Sequence, residues 1–259
     1  VALGHHLELA VIAGRAGRGY LVTYGLLQLG LFVSLLRLWR RTREPIAAAL
    51  MFPQFFLIWD NWRVAVGPLL GFGDLLYWLS WPSFWTHWLA GCWLIIAAGA
   101  LLRMAGFTWA RPPWVMGAFC LLAAALMLHD LPNFWTLDIY PVCEFDLVRY
   151  GGTVREANRC FPDQLLTAPK AFPLAPVITS FVMIGTGLIL WIRRGFPWLF
   201  AGSLLMLISA TPPLAKYKLD NFGEVLINGG TLWALWHFTR GRARAAAPPD
   251  VAPRVAPST

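Results

Sequence analysis

Seven apolar runs, near residues 19–38, 46–69, 83–102, 114–129, 173–192, 196–212 and 221–239, divide the chain. At 1.5 Å per helical residue each run is long enough, or nearly so, to cross a hydrocarbon core of about 30 Å. A composition of 58% hydrophobic and 13% charged residues, with 15 Trp and 17 Phe, points away from a soluble domain with a large core. The expected fold class is all-α: one integral membrane bundle of seven transmembrane helices, multi-pass in a plasma (inner) membrane.

The charge pattern sets the expected orientation. Arg37, Arg40, Arg41 and Arg43 follow the first span, Arg103 and Arg111 flank the loop after the third, Arg193 and Arg194 follow the fifth, and Arg240, Arg242 and Arg244 follow the seventh. Cationic residues favour the cytoplasmic side, which places the amino terminus outside and the carboxyl terminus inside. The net charge of +8 is thus spread over span ends instead of forming one patch, and nucleic acid is not an expected partner. This divides the chain into an extracytoplasmic segment 1–18, a membrane domain 19–240 with an outer loop at 130–172, and a disordered cytoplasmic tail 241–259 rich in Ala, Pro and Arg. No cleavable signal peptide is evident, and the first span serves as the targeting signal.

Cys92 and Cys120 fall inside spans and read as small apolar residues. Cys143 and Cys160 fall in the outer loop between helices 4 and 5, where an oxidising compartment permits a disulfide. The segment between them reads as two short arms about a turn at Gly151-Gly152, a cap over the bundle. Two further outer elements are expected. Residues 1–19, with His5 and His6, form either a short interfacial helix or a disordered terminus, and residues 71–82, glycine-punctuated and aromatic, lie along the interface as a lid. Adjacent histidines point to different helix faces, so no metal site is expected there.

Polar groups inside the spans are the informative exceptions. The second span runs through Met51-Phe-Pro53 to Gly67 and holds Asp60, Asn61 and Arg63. A charge at bilayer depth costs roughly 2.5–3.5 kcal/mol, so such residues face a bundle interior, take partners and mark functional paths. In the seventh span Asp220, Glu224 and Asn228 recur every four residues, which stacks them on one helix face. Both sets map to the outer half, as do His87 and His129-Asp130. The inner half offers little beyond anchoring arginines and His237. One outer pocket is expected, walled by Trp59, Trp62, Trp78, Trp85 and Trp88, with Asp60 and Glu224 converging in it.

Plainer readings stand beside this one. Asp60 and Arg63 neutralise each other at i, i+3 spacing; Glu224 pairs with Lys216 or Lys218; His87 is an interfacial packing residue. Several seven-span chemistries are disfavoured by missing residues. A retinal Schiff base needs a lysine inside the last span, a zinc lipid hydrolase needs clustered histidines, and a transporter shows internal repeats, none of which is evident.

Trp59-Asp60 after Met51-Phe-Pro53, together with Glu224 or Asp220 in the last span, resembles the integral-membrane terpene cyclases of meroterpenoid pathways. That resemblance implies a compact seven-helix enzyme whose acids lie in the second and last spans, although the family usually has Glu at the first position. It implies Asp60 as proton donor and Glu224 as stabilising or deprotonating group, with aromatic faces shielding a carbocation. His87 is a further catalytic candidate. Trp59, Asn61, Trp62, Arg63, Trp85, Trp88, Asp220 and Asn228 are the expected substrate contacts. The expected partner is a membrane lipid or isoprenoid, with no cofactor and no metal. The alternative is a non-catalytic lipid- or pigment-binding subunit of a larger membrane complex, and a small-solute or proton carrier titrating Glu224 ranks third.

Overall fold

The computed structural model describes residues 2–144, 147–167, 174–215 and 219–246, with the side chains at 2–18, 85–88, 133–134, 212–213 and 242–246 left undescribed. The chain is predominantly helical. The long helices are α1 (Ala2–Thr42), α2 (Pro45–Leu70), α3 (Asp74–Met104), α4 (Pro113–Asp130), α6 (Leu174–Arg194), α7 (Trp198–Ser209) and α9 (Leu219–Ala246). Single turns form α5 (Asn133–Thr136) and α8 (Pro212–Ala215), and the strands β1 (Tyr140–Glu144) and β2 (Leu147–Gly151) pair antiparallel.

Four described helical segments are long and apolar enough to cross a membrane: Gly19–Thr42, Asp74–Met104, Pro113–Asp130 and Leu174–Arg194. The 26 residues of α2 and 28 of α9 provide comparable length, about 40 Å each, but carry the polar groups. The 12 residues of α7 rise only about 18 Å.

Helices α1, α2, α3, α6, α7 and α9 share one core. Leu35 and Leu38, Ala47 and Leu50, Leu94 through Leu101, Met183 and Leu190, Leu199, and Leu232 with Leu235 interlock in it. Helices α7 and α9 approach backbone to backbone, because a Cβ at Gly230 would lie 2.9 Å from the Trp198 carbonyl oxygen. Close contact through small residues lets the two backbones gain van der Waals attraction. Helices α1 and α2 add a polar clasp. Buried Gln54 donates its side-chain amide to the Gln28 backbone carbonyl at 3.0 Å and also to the Gln28 side-chain oxygen. Helix α4 is peripheral, with Trp114, Leu121 and Leu128 exposed. Cys120 is exposed on it, whereas Cys92 is buried on α3 against Ala123 and Leu126.

The loop after α5 caps one end of the bundle. Leu147 at the start of β2 is fully buried among Leu21 and Tyr24 of α1 and Val64 and Ala65 of α2, with Val225 of α9 against them. Gly67 meets the Val148 carbonyl so closely that no Cβ fits between them. The disulfide joins Cys143 of β1 to Cys160, with Cα atoms 5.0 Å apart.

Four expectations change. The hairpin reverses between Glu144 and Leu147, and Gly151 pairs with Tyr140 at the far end of the ladder, so Gly151-Gly152 is not the turn. Burial of Leu147 against three helices fixes that register. Residues 74–82 are not a lid but the opening turns of α3, which runs unbroken through Pro82. Gly71, at φ 69°, takes a positive-φ conformation open to glycine where α2 ends, and Asp74 adds a favourable negative charge to the first turn of α3. Residues 2–18 are neither separate nor irregular in backbone but continue as the first turns of α1. At the other terminus α9 extends to Ala246, so residues 241–246 are helical instead of part of a disordered tail; residues 247–259 lie outside those described.

Candidate functional site

A mostly apolar cavity of about 230 Å³ opens among five helices. Helix α2 contributes Pro53, Phe56 and Leu57; α3 gives Ala90, Gly91 and Leu94; α6 gives Pro176, Thr179 and Ser180; α7 gives Met206, with Ala210 just past its end; α9 gives Asp220, Glu224, Ile227 and Asn228. Space exists in part because the α3 wall carries Ala90 and Gly91 where larger residues would fill it. The four-residue spacing on α9 turns both carboxyl groups and the Asn228 amide toward this one hollow. Asn228 Nδ2 donates to the Glu224 backbone carbonyl at 2.8 Å, and Asp220 accepts the Asn221 backbone N–H at 3.0 Å.

Asp60 does not line this cavity. It lies one turn along α2 from Phe56 and Leu57, on the same helix face, where Arg63 Nη2 binds its Oδ1 at 2.7 Å. Arg63 is almost fully buried and also donates through Nη1 to Ser80 Oγ at 3.1 Å, and Ser80 passes its hydroxyl to the Leu76 carbonyl at 2.6 Å. The guanidinium lies 5.9 Å from the Phe84 ring centroid. A short helix–helix network thus joins α2 to α3. The neighbouring Asn61 is fully buried; its Nδ2 donates to the Leu57 carbonyl at 2.8 Å and its Oδ1 accepts from Asn221 Nδ2 at 3.2 Å. Of the two acids expected in one hollow, Glu224 lines this cavity and Asp60 is bound to Arg63.

The tryptophans likewise separate from the α9 acids. Trp59 and Trp62 line a different, almost wholly apolar hollow of about 460 Å³ with Phe55, Ile58, Arg63, Val66 and Leu79. Trp59 Nε1 donates to the Leu79 carbonyl at 3.1 Å, and the Trp62 indole lies over Gly25, where a Cβ would collide with it. Trp78 is 67% exposed on the first turns of α3. The side chains of Trp85, His87 and Trp88 lie outside those described, as do Lys216 and Lys218 and hence any pairing of Glu224 with them. His129 Nδ1 meets Asp130 Oδ1 at 3.0 Å at the end of α4. Among the described residues no three His, Cys, Asp or Glu side chains gather as a metal site.

Thr179, Ser180, Met206 and Ala210 were not expected at the site. The adjacent hydroxyl residues three and four positions after Pro176, inside an apolar span, are the sequence signal that could have marked α6 as a wall. No family profile, curated protein or solved structure matches the chain.

Proposed function

We propose that the protein is a multi-pass membrane enzyme acting on a lipophilic substrate of isoprenoid or lipid type. Its acid–base chemistry is carried by Glu224, with Asp220 as second carboxyl, in the cavity of α2, α3, α6, α7 and α9. The carrying observation is that cavity: an apolar chamber into which one helix presents two carboxyl groups and an amide. At about 230 Å³ it is smaller than the roughly 300–1,000 Å³ of sites for drug-sized ligands. It accordingly takes the reacting end of a substrate whose remainder lies among lipid chains. Glu224 delivers or removes a proton there, and desolvation by Leu57, Leu94 and Ile227 keeps water from intercepting a charged intermediate.

The topology belongs to the same proposal. The chain crosses seven times, with α7 and α8 together making the sixth crossing and the hairpin on the extracytoplasmic side. Arg40, Arg103, Arg193, Arg194 and Arg240 all stand at helix ends remote from the hairpin, in keeping with the positive-inside rule. The resemblance to the integral-membrane terpene cyclases names the reaction class, cyclisation or isomerisation, in which product and substrate have equal mass. Asp60 acts in this scheme by holding Arg63.

The test is conversion of an isoprenoid panel by membranes containing the full chain, read as new chromatographic species of unchanged mass. Glu224→Gln should lower conversion at least 100-fold, the usual contribution of a positioned proton-transfer group. Conversion left intact in a folded Glu224→Gln protein sinks the catalytic reading. The second reading, a lipid- or pigment-binding subunit without chemistry, is favoured by the hollow beside Trp59 and Trp62. It predicts that lipid co-purifies with wild type and with Glu224→Gln alike and that displacing it requires Trp62→Ala.

A further inference from the structure

The cavity contains a hydroxyl group that the fold leaves over. Thr179 is 4% exposed and lines the chamber, and its Oγ1 is buried with no hydrogen-bond partner among the described residues. Many of the described helical hydroxyls turn back onto their own helix. Ser180, the next residue, donates to the Pro176 carbonyl at 2.9 Å, Ser203 to Leu199 at 2.7 Å, Thr231 to Ile227 at 2.8 Å and Thr239 to Leu235 at 2.7 Å. That internal bond needs no outside partner and is the ordinary resolution for Ser and Thr in an apolar helix. Leaving one hydroxyl buried and unused is unfavourable, so a retained example calls for an explanation.

Across the chamber, Asn228 commits its Nδ2 to the Glu224 backbone carbonyl at 2.8 Å, while its side-chain oxygen accepts nothing among the described residues. Beside the two α9 carboxyl groups, the walls therefore offer Thr179 O–H as a donor and Asn228 Oδ1 as an acceptor in largely apolar surroundings. A single group complements both. We infer that the guest of this cavity is a lipophilic alcohol, whose hydroxyl oxygen accepts from Thr179 and whose proton is donated to Asn228. The inference rests on the lipophilic-substrate reading and narrows it. An ether or ketone meets only the donor, and a plain hydrocarbon meets neither. Thr179 and Asn228 are then substrate-positioning residues that set the oxygen-bearing carbon on the α9 face carrying Glu224.

The experiment compares binding of farnesol, its methyl ether and the parent hydrocarbon to the full chain in phosphatidylcholine nanodiscs, at matched membrane concentrations. Wild type should prefer farnesol to the hydrocarbon by roughly tenfold, the effect of one or two neutral hydrogen bonds, with the ether between them. Thr179→Val, which keeps the shape and removes the hydroxyl, should erase most of that preference without weakening hydrocarbon binding, and Thr179→Ser should retain it. A preference that survives Thr179→Val overturns the inference. Equal binding of all three probes by wild type overturns it too while leaving a lipophile site in place, and this comparison holds even if the valine variant does not fold. Binding of none of the three overturns both the inference and the reading beneath it.

Discussion

Asn221 Nδ2 donates to Asn61 Oδ1 at 3.2 Å, joining α9 to α2 across 160 positions of sequence. Asn61 is fully buried and its own amide is spent on the Leu57 carbonyl, so its side-chain oxygen depends on Asn221. The bond fixes the rotation of α9 against α2 next to the point where Glu224 enters the cavity. Interhelical hydrogen bonds in membranes average about 0.6 kcal/mol and reach about 1.7. Asn221→Ala should therefore destabilise by roughly 1 kcal/mol, and a double-mutant cycle with Asn61→Ala should give a coupling of about 0.5–1.5 kcal/mol. Strictly additive effects in unfolding titrations of the micellar protein would mean that the contact carries no energy.

The Asp60–Arg63 pair separates stability from chemistry. Removing one member of a buried ion pair leaves an uncompensated charge and costs about 3–5 kcal/mol, whereas removing both can be nearly neutral. Asp60→Leu should thus be more destabilising than the combined Asp60→Leu and Arg63→Leu change. The loss of activity in Asp60→Asn should follow the loss of folded protein, while Glu224→Gln should lose turnover in protein that remains folded. Fully folded Asp60→Asn without turnover would return Asp60 to the catalytic centre.

Periodicity made part of this site legible. The spacing of Asp220, Glu224 and Asn228 fixes a common face whatever the neighbours are, and all three line the same cavity. The Asp60–Arg63 contact was also readable as a local i, i+3 pairing, but its consequence was not. Arg63 is also held by Ser80 of α3, a long-range neighbour that hydropathy does not reveal. The role of Gln28 is hidden for the same reason, since its partner Gln54 lies on another helix. A glycine pair is a strong local turn signal, whereas the true reversal is set by burial of Leu147 against α1 and α2. In the hairpin long-range packing overrides the local turn preference.

Gly67 is where the cap meets the bundle. Its missing side chain lets the Val148 carbonyl rest directly on α2, and a Cβ there would push backbone against backbone. Gly67→Ala should lift β2 off the helix and loosen Leu147 from its site at a cost of about 1–3 kcal/mol. Hydrogen exchange should quicken in β1 and β2 while the α3–α6 amides keep their protection. Unchanged exchange in both strands would show that the cap does not depend on this contact.

The Cys143–Cys160 bridge should act on the cap alone. It closes a segment with a sequence separation of 17 and lies in the loop that follows α5, outside the helical core. A loop of this length corresponds to about 3 kcal/mol in the chain-entropy account, confined here to the states in which the loop opens. Replacing both cysteines by serine should therefore leave the helices' thermal transition within about 2 °C, and it should speed proteolysis within residues 147–167 by roughly tenfold or more. Leu147 anchors the other side of the hairpin independently, so the double replacement combined with Gly67→Ala should release the cap further than either change alone. A helical transition that collapses on reduction, with the loop cut no faster, would place the bridge's contribution in the bundle instead.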